Sequence, residues 1–167
     1  DKKNLKPILN VLFKNKVKII SSGGTFKEIK RLKFNCINVS EFTNSPEILD
    51  GRVKTLHPKI HAGILNKRNN KLHQKNLKTN KFENIDLVIV NFYPFENKLK
   101  ETTNHDKLIE NIDVGGPAMV RAAAKNFNDV VVLSNQSQYS YLIKELNQNK
   151  GCTSLNFRKK LSEEAFS

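Results

Sequence analysis

The run Asp86-Leu87-Val88-Ile89-Val90-Asn91 places four apolar side chains in succession between two polar ones. A strand that is apolar on both faces must be covered on both, which is the condition of a parallel sheet held between helices. Val130-Val131-Val132-Leu133 repeats the pattern, and shorter strands are expected at Val17-Lys18-Ile19-Ile20 and Ile37-Asn38-Val39. The covering helices are also legible. Leu5, Ile8, Leu9, Leu12 and Phe13 recur at helical spacing, and Pro7 falls in a first turn where its missing N–H costs nothing. Further helices are expected from Phe26 to about Lys33, from Lys59 to about Asn66, at Asp106 to Ile112, from a start with Pro117 near its first position, at Gln136 to Gln148 and at Ser154 to Phe166. Asn69 to Phe82 reads as an exposed, lysine-rich helix or loop, and Glu41 to Asp50 as a loop with one helical turn after Pro46. Strands alternating with helices give an α/β fold, and no internal repeat is present.

With 167 residues the chain suits one domain. No apolar run approaches the ~18 residues of a membrane span, so no membrane partner is expected, and no signal-peptide pattern opens the chain. Cys36 and Cys152 have no metal-binding spacing, and a cytoplasmic chain would keep them reduced. The net charge of +13 invites a nucleic-acid reading. The cations are scattered along the chain, however, and the phenylalanines sit at core-like positions rather than forming a stacking platform, so no nucleic-acid partner is expected.

The candidate chemistry gathers at loops. Gly51-Arg52-Val53-Lys54-Thr55 sets a guanidinium, an ammonium and a hydroxyl within four residues, a combination that suits a phosphate dianion. Ser22-Gly23-Gly24-Thr25 lies between a strand and a helix, where backbone N–H groups and the helix terminus favour an anion. Asn91 and Tyr93 follow the carboxyl end of a parallel strand, where ligands of such sheets sit. Asp113 precedes a helix that carries Lys125 at or near its far end, so these two meet only if the loop folds back. His57 and His61 are four apart, but Pro58 intervenes and no third ligand is evident, so no metal is expected and His57 is assigned to loop orientation.

These strings bear a resemblance. Ser22-Gly23-Gly24-Thr25, the stretch from Gly51 to Leu65, Asn91-Phe92-Tyr93-Pro94-Phe95, Ile112-Asp113-Val114-Gly115-Gly116 and Arg121-Ala122-Ala123-Ala124-Lys125-Asn126 resemble the amino-terminal, cyclohydrolase domain of the bifunctional AICAR formyltransferase/IMP cyclohydrolases of purine biosynthesis. The resemblance runs end to end. It implies a three-layer α/β/α sandwich with a parallel sheet, similar to methylglyoxal synthase, as a single domain over residues 1–167. It further implies that the family's first strand and its downstream formyltransferase domain lie outside the sequence. The family's Ser-x-Ser-Asp-Lys-Thr-Gly survives only as Asp1-Lys2, and the strand preceding it belongs inside the sheet, so a gap there is expected. Asn44 stands where glycine is common, Ala62 for glycine and Phe92 for leucine.

By the same resemblance, the reaction closes the six-membered ring of formyl-AICAR to give IMP. The substrate phosphate would be held by Lys2, Ser22, Gly24, Thr25, Arg52 and Thr55, with Lys54 close by. Asn91, Tyr93, Asp113, Gly116 and Lys125 would surround the reacting groups. In that scheme Lys125 is the proton donor paired with Asp113, Tyr93 serves the developing oxyanion, and Lys54 serves either the phosphate or the chemistry. No cofactor is expected, since folate would belong to the formyltransferase domain. A homodimer in the cytoplasm is expected. The rival expectations are a methylglyoxal synthase-like lyase and a regulatory domain that only binds a phosphorylated effector.

Overall fold

The structure, a computed structural model, describes residues 4–92 and 104–166. It alternates helices and short parallel strands. The elements are α1 (Leu5–Lys14), β1 (Ile20–Ser21), α2 (Gly23–Arg31), β2 (Ile37–Asn38), α3 (Val39–Thr43), α4 (Pro58–Leu65), α5 (Lys71–Thr79), β3 (Leu87–Ile89), α6 (His105–Glu110), α7 (Gly115–Lys125), β4 (Val131–Leu133), α8 (Tyr139–Gln148) and α9 (Leu155–Glu164). Single 3-10 turns lie at Leu49–Gly51 and Gln136–Gln138.

The strands form two parallel ladders. β1 pairs with β2 in the register Ile20↔Ile37, and β3 pairs with β4 in the register Val88↔Val132. Among the described residues the two ladders are not hydrogen-bonded to each other, so the expected sheet is divided. One apolar core nevertheless runs through both halves, from Ile29, Val39 and Phe42 to Val130, Val132 and Leu133. α7 and α9 pack against β4, α7 also against β3, and α1 against α8, while α2 and α3 flank β1. This is the α/β sandwich that the apolar runs require.

Local differences from the sequence reading have physical causes. Phe13, assigned to the buried stripe of α1, is 61% exposed and meets Phe34 edge-on at 6.0 Å between centroids. Val39 ends no strand. It opens α3, because Asn38 accepts the Ser40 N–H and caps a helix there. α2 and α7 both begin at their glycines rather than after them, which moves two helix N-termini into the loops that were expected to bind the ligand.

The polypeptide ends of the β3–β4 ladder differ in character. At the end where the strands begin, Asn126 donates from Nδ2 to the carbonyls of Ile64 and Asn66, each at 2.8 Å. Arg68 there binds Asn66 Oδ1 at 2.8 Å, and the Ile85 carbonyl and Asp86 at 3.0 Å each. This network satisfies buried polar groups and fixes the C-termini of α4 and α7. The opposite end, where the strands finish, carries the loops described next.

Candidate functional site

The site is assembled from four segments that touch in sequence across the carboxyl ends of both ladders. β1 ends at Ser21, and Ser22 follows as the extended N-cap of α2, its side chain making no capping hydrogen bond. The N–H groups of Gly23, Gly24 and Thr25 therefore have no partner inside the helix. The Lys54 ammonium lies 4.0 Å from the position a Cβ on Gly23 would take. Thr55, the next residue, fills with its hydroxyl the space a side chain at Gly115 would need.

Gly115 and Gly116 open α7, and both must lack a side chain. A Cβ on Gly116 would collide with the Asp113 carboxylate and stand 2.9 Å from Val90 Cγ1, beside the end of β3. The Gly116 N–H instead donates to Asp113 Oδ1 at 2.9 Å, so the carboxylate sits on the amino terminus of α7. Val90 extends the ladder through its N–H to the Leu133 carbonyl at 2.9 Å. Asn91 comes next and donates from Nδ2 to the Tyr139 hydroxyl at 2.6 Å. The segments thus approach one another in the order Gly23, Lys54–Thr55, Gly115–Gly116, Val90–Asn91 and Tyr139, with Asp113 seated on Gly116. The amino terminus of α2 and an ammonium face this end and together suit an anion, while the amino terminus of α7 is taken by the Asp113 carboxylate.

The cations of the basic loop are paired. Lys54 Nζ is 3.2 Å from Glu47 Oε2, with 22% of the lysine side chain exposed. Arg52 forms an ion pair with Glu110 of α6 and is turned toward that helix. Thr25 is exposed in the first turn of α2. Burial raises the Tyr139 phenol above its ordinary range, and the hydrogen bond from Asn91 pulls the other way.

Lys125 does not meet Asp113. Asp113 lies at the start of α7 and Lys125 at its last position, so an eleven-residue helix of about 15 Å separates them. Lys125 is exposed and adjoins Asn126, at the end where the strands begin. Arg52, Thr25 and Lys125 therefore do not share one cleft within this chain. Lys2 and Tyr93 lie outside the described residues. His57 Nδ1 accepts the Lys59 N–H at 3.1 Å and caps α4, which accounts for this histidine without a ligand. Among the described residues no three His, Cys, Asp or Glu side chains converge to hold a metal ion.

Three residues escaped the sequence reading: Glu47, Glu110 and Tyr139. The two carboxylates are distant in sequence from what they bind or sit in a loop without pattern. Tyr139 could have been found, since it stands just beyond the carboxyl end of β4, the end at which ligands of parallel sheets gather.

The chain is similar to known proteins over nearly its whole length. The MGS-like domain model matches residues 4–118, and that of the AICARFT/IMPCHase bienzyme matches residues 123–167. Bifunctional purine biosynthesis protein PurH of Prochlorococcus marinus is 52% identical over 99% of this chain and 32% of its own length. The PurH of Clostridium perfringens is 47% identical over 99% of this chain and 33% of its own. The chain thus spans about a third of the length of these curated relatives. The crystal structure of ForH superposes with a TM-score of 0.86 at 31% identity, over 99% of this chain and 87% of that one. A glycine-opened α7 set on the end of β3, the basic loop that reaches it and a family match over 4–118 lead to one conclusion: the chain belongs to the MGS-like domain family.

Proposed function

We propose that the chain is an IMP cyclohydrolase, and that it acts within a protein whose remaining length carries AICAR formyltransferase activity. The observation that carries the reading is the convergence, at one end of the ladders, of the amino terminus of α2, Lys54 and Thr55, Gly115–Gly116 with Asp113, and Val90–Asn91. One end of that array offers N–H groups and hydroxyls to a phosphate, the other offers a carboxylate and an amide to a base, and Lys54 stands between them.

In the reaction, the carboxamide nitrogen of formyl-AICAR forms a bond to the formyl carbon. The carboxamide nitrogen and the formamide nitrogen each lose one proton, the former formyl oxygen leaves with two protons as water, and the ring closes with a double bond between the formyl carbon and the formamide nitrogen. Both reactants belong to one molecule, so much of the barrier is met by holding the conformer in which they touch. The N–H groups at Gly24 and Thr25, with the Ser22 and Thr55 hydroxyls, take the phosphate, and Arg52 joins them on leaving Glu110. Lys2 would add a further cation. Asn91, anchored by Tyr139, addresses the base. Asp113, oriented by the Gly116 N–H, accepts the carboxamide proton, and Lys54 donates to the departing oxygen. Tyr93 is assigned to the developing oxyanion. With Lys125 at the far end of α7, Lys54 takes the proton-donor role within this chain. No cofactor enters, because nothing is oxidised and no group is carried in.

The substrate is a small nucleotide. No helix among the described residues is long and apolar enough to cross a membrane. A homodimer in the cytoplasm completes the proposal. Ring closure followed by ultraviolet absorbance in the full-length protein tests it. Lys54→Ala and Asp113→Asn should each lower turnover by about 100-fold or more, and unchanged turnover in both would overturn the reading. A lyase acting on a triose phosphate is not favoured, because the AICARFT/IMPCHase match covers α9 and the end of α7.

A further inference from the structure

We infer that Glu47 is a positioning residue that holds the Lys54 ammonium at the amino terminus of α2 for ring closure. The inference rests on the functional reading above, in which Lys54 donates the proton. It begins from an electrostatic conflict. The amino terminus of a helix carries partial positive charge and disfavours a cation. The Lys54 ammonium nevertheless stands beside it, 4.0 Å from the position a Cβ on Gly23 would take. Something must hold the ammonium there, and Glu47 Oε2, 3.2 Å from Nζ, is the carboxylate in place.

The backbone is folded around this pair. Leu49, Asp50 and Gly51 take φ values of 50, 52 and 84° in succession, so three consecutive residues are left-handed and two of them carry a Cβ. Such a run is adopted only where its surroundings impose it. Here it reverses the chain so that residues 47 and 54 meet. The turn is tied by Gly51 N–H to the Ile48 carbonyl and Arg52 N–H to the Leu49 carbonyl, each at 3.0 Å. The pair is packed across Gly51, where a Cβ would stand 3.0 Å from Lys54 Cε and 3.3 Å from Glu47 Oε2. An ammonium has three donors. Glu47 takes one and leaves two for the substrate. Without Glu47 the four-carbon stem would let the head move out into water.

The test is a double-mutant cycle on ring closure in the full-length protein, with Glu47→Ala, Glu47→Gln, Lys54→Ala and the double change Glu47→Ala/Lys54→Ala. Glu47→Ala should lower kcat by about 10- to 100-fold with KM nearly unchanged. Glu47→Gln should retain more activity, because its amide oxygen still accepts from Nζ. The double variant should be no slower than Lys54→Ala alone, since Glu47 acts through Lys54. Multiplying effects, or a change confined to KM, would overturn the inference. A second measurement needs no turnover: acetylation of Lys54 by an amine-reactive reagent, read by mass spectrometry against exposed Lys71. Glu47→Ala should raise Lys54 labelling several-fold, and unchanged labelling would overturn the inference. A wild-type protein that closes no ring sinks the functional reading instead, and labelling then decides the positioning of Lys54 on its own.

Discussion

The two ladders are built from the same elements and treated differently. In β3–β4, all of β4 and the centre of β3 are buried, and α7 and α9 close over them. In β1–β2, every residue of both strands is only half-buried, and the pairing covers two registers instead of three. The well-covered ladder ends in the network of Asn126, Asn66 and Arg68. The lightly covered one leads into the uncapped turn at Ser22-Gly23 and faces Lys54 on its strained loop. The division teaches where stability and chemistry reside. Segments with few buried contacts open most readily, and a site that must admit and release a nucleotide is drawn from them.

The comparison breaks most easily in the core. Leu133→Ala, at a fully buried site, should cost about 2–5 kcal/mol in urea unfolding. Ile37→Ala, half-buried in β2, should cost about 1 kcal/mol. Equal costs would mean the ladders are equally packed in solution. Next in size is Asn126→Ala. It strips donors from the Ile64 and Asn66 carbonyls in a buried setting and should cost about 1–3 kcal/mol with the ring-closing groups undisturbed. A selective loss of turnover with unchanged stability would place Asn126 at the site rather than beneath it.

A pH measurement sharpens the same contrast at the seam between the halves. Burial holds the Tyr139 phenol above the ordinary value of 10.0 in the folded state. Above about pH 10 the unfolded chain loses this proton first, so stability present below that pH is lost as pH rises through the folded value. Tyr139→Phe should flatten this alkaline decline. It should also cost about 1 kcal/mol at neutral pH, because the Asn91 amide loses its acceptor. An unaltered alkaline slope would show that Tyr139 is solvated.

The buried ladder was the legible half of the sequence because its signal is local. Leu87 to Val90 and Val130 to Leu133 carry their burial in their own composition, and Ile8, Leu9 and Leu12 carry theirs in their spacing. The Ser22-Gly23-Gly24-Thr25 turn and the Lys54-Thr55 loop were legible as anion-binding chemistry for a similar reason: charge, hydroxyls and glycine stand together in a few residues. Pairings across long separations were not legible. Nothing near Arg52 announces Glu110, and the Asn91–Tyr139 bond joins residues 48 apart. The pairing of Lys125 with Asp113 came from the resemblance and not from the local pattern, and the helix between them sets the two at opposite ends within this chain. Glu47 was missed because its meeting with Lys54 depends on left-handed backbone at Leu49 and Asp50, residues whose side chains give no sign of it.

The smallest effect tests the exposed rim of the lightly covered half. Arg52 and Glu110 are 62% and 54% exposed, so their ion pair is screened and should add only about 0–1 kcal/mol to stability. Glu110→Gln should therefore leave the unfolding midpoint nearly unchanged. Its consequence should appear in binding. In the proposed reaction Arg52 must leave Glu110 to reach the phosphate, so the pair competes with the ligand. Removing the carboxylate charge should tighten the binding of inorganic phosphate, read by calorimetry at low salt, by up to about fivefold, the equivalent of about 1 kcal/mol. Added salt should erase the difference, because it weakens the exposed pair in the wild type as well. Arg52→Ala should weaken phosphate binding and remove any gain from Glu110→Gln. If Glu110→Gln binds phosphate no more tightly than the wild type at low salt, then Arg52 does not turn inward, and the anion is held by the amino terminus of α2 without it.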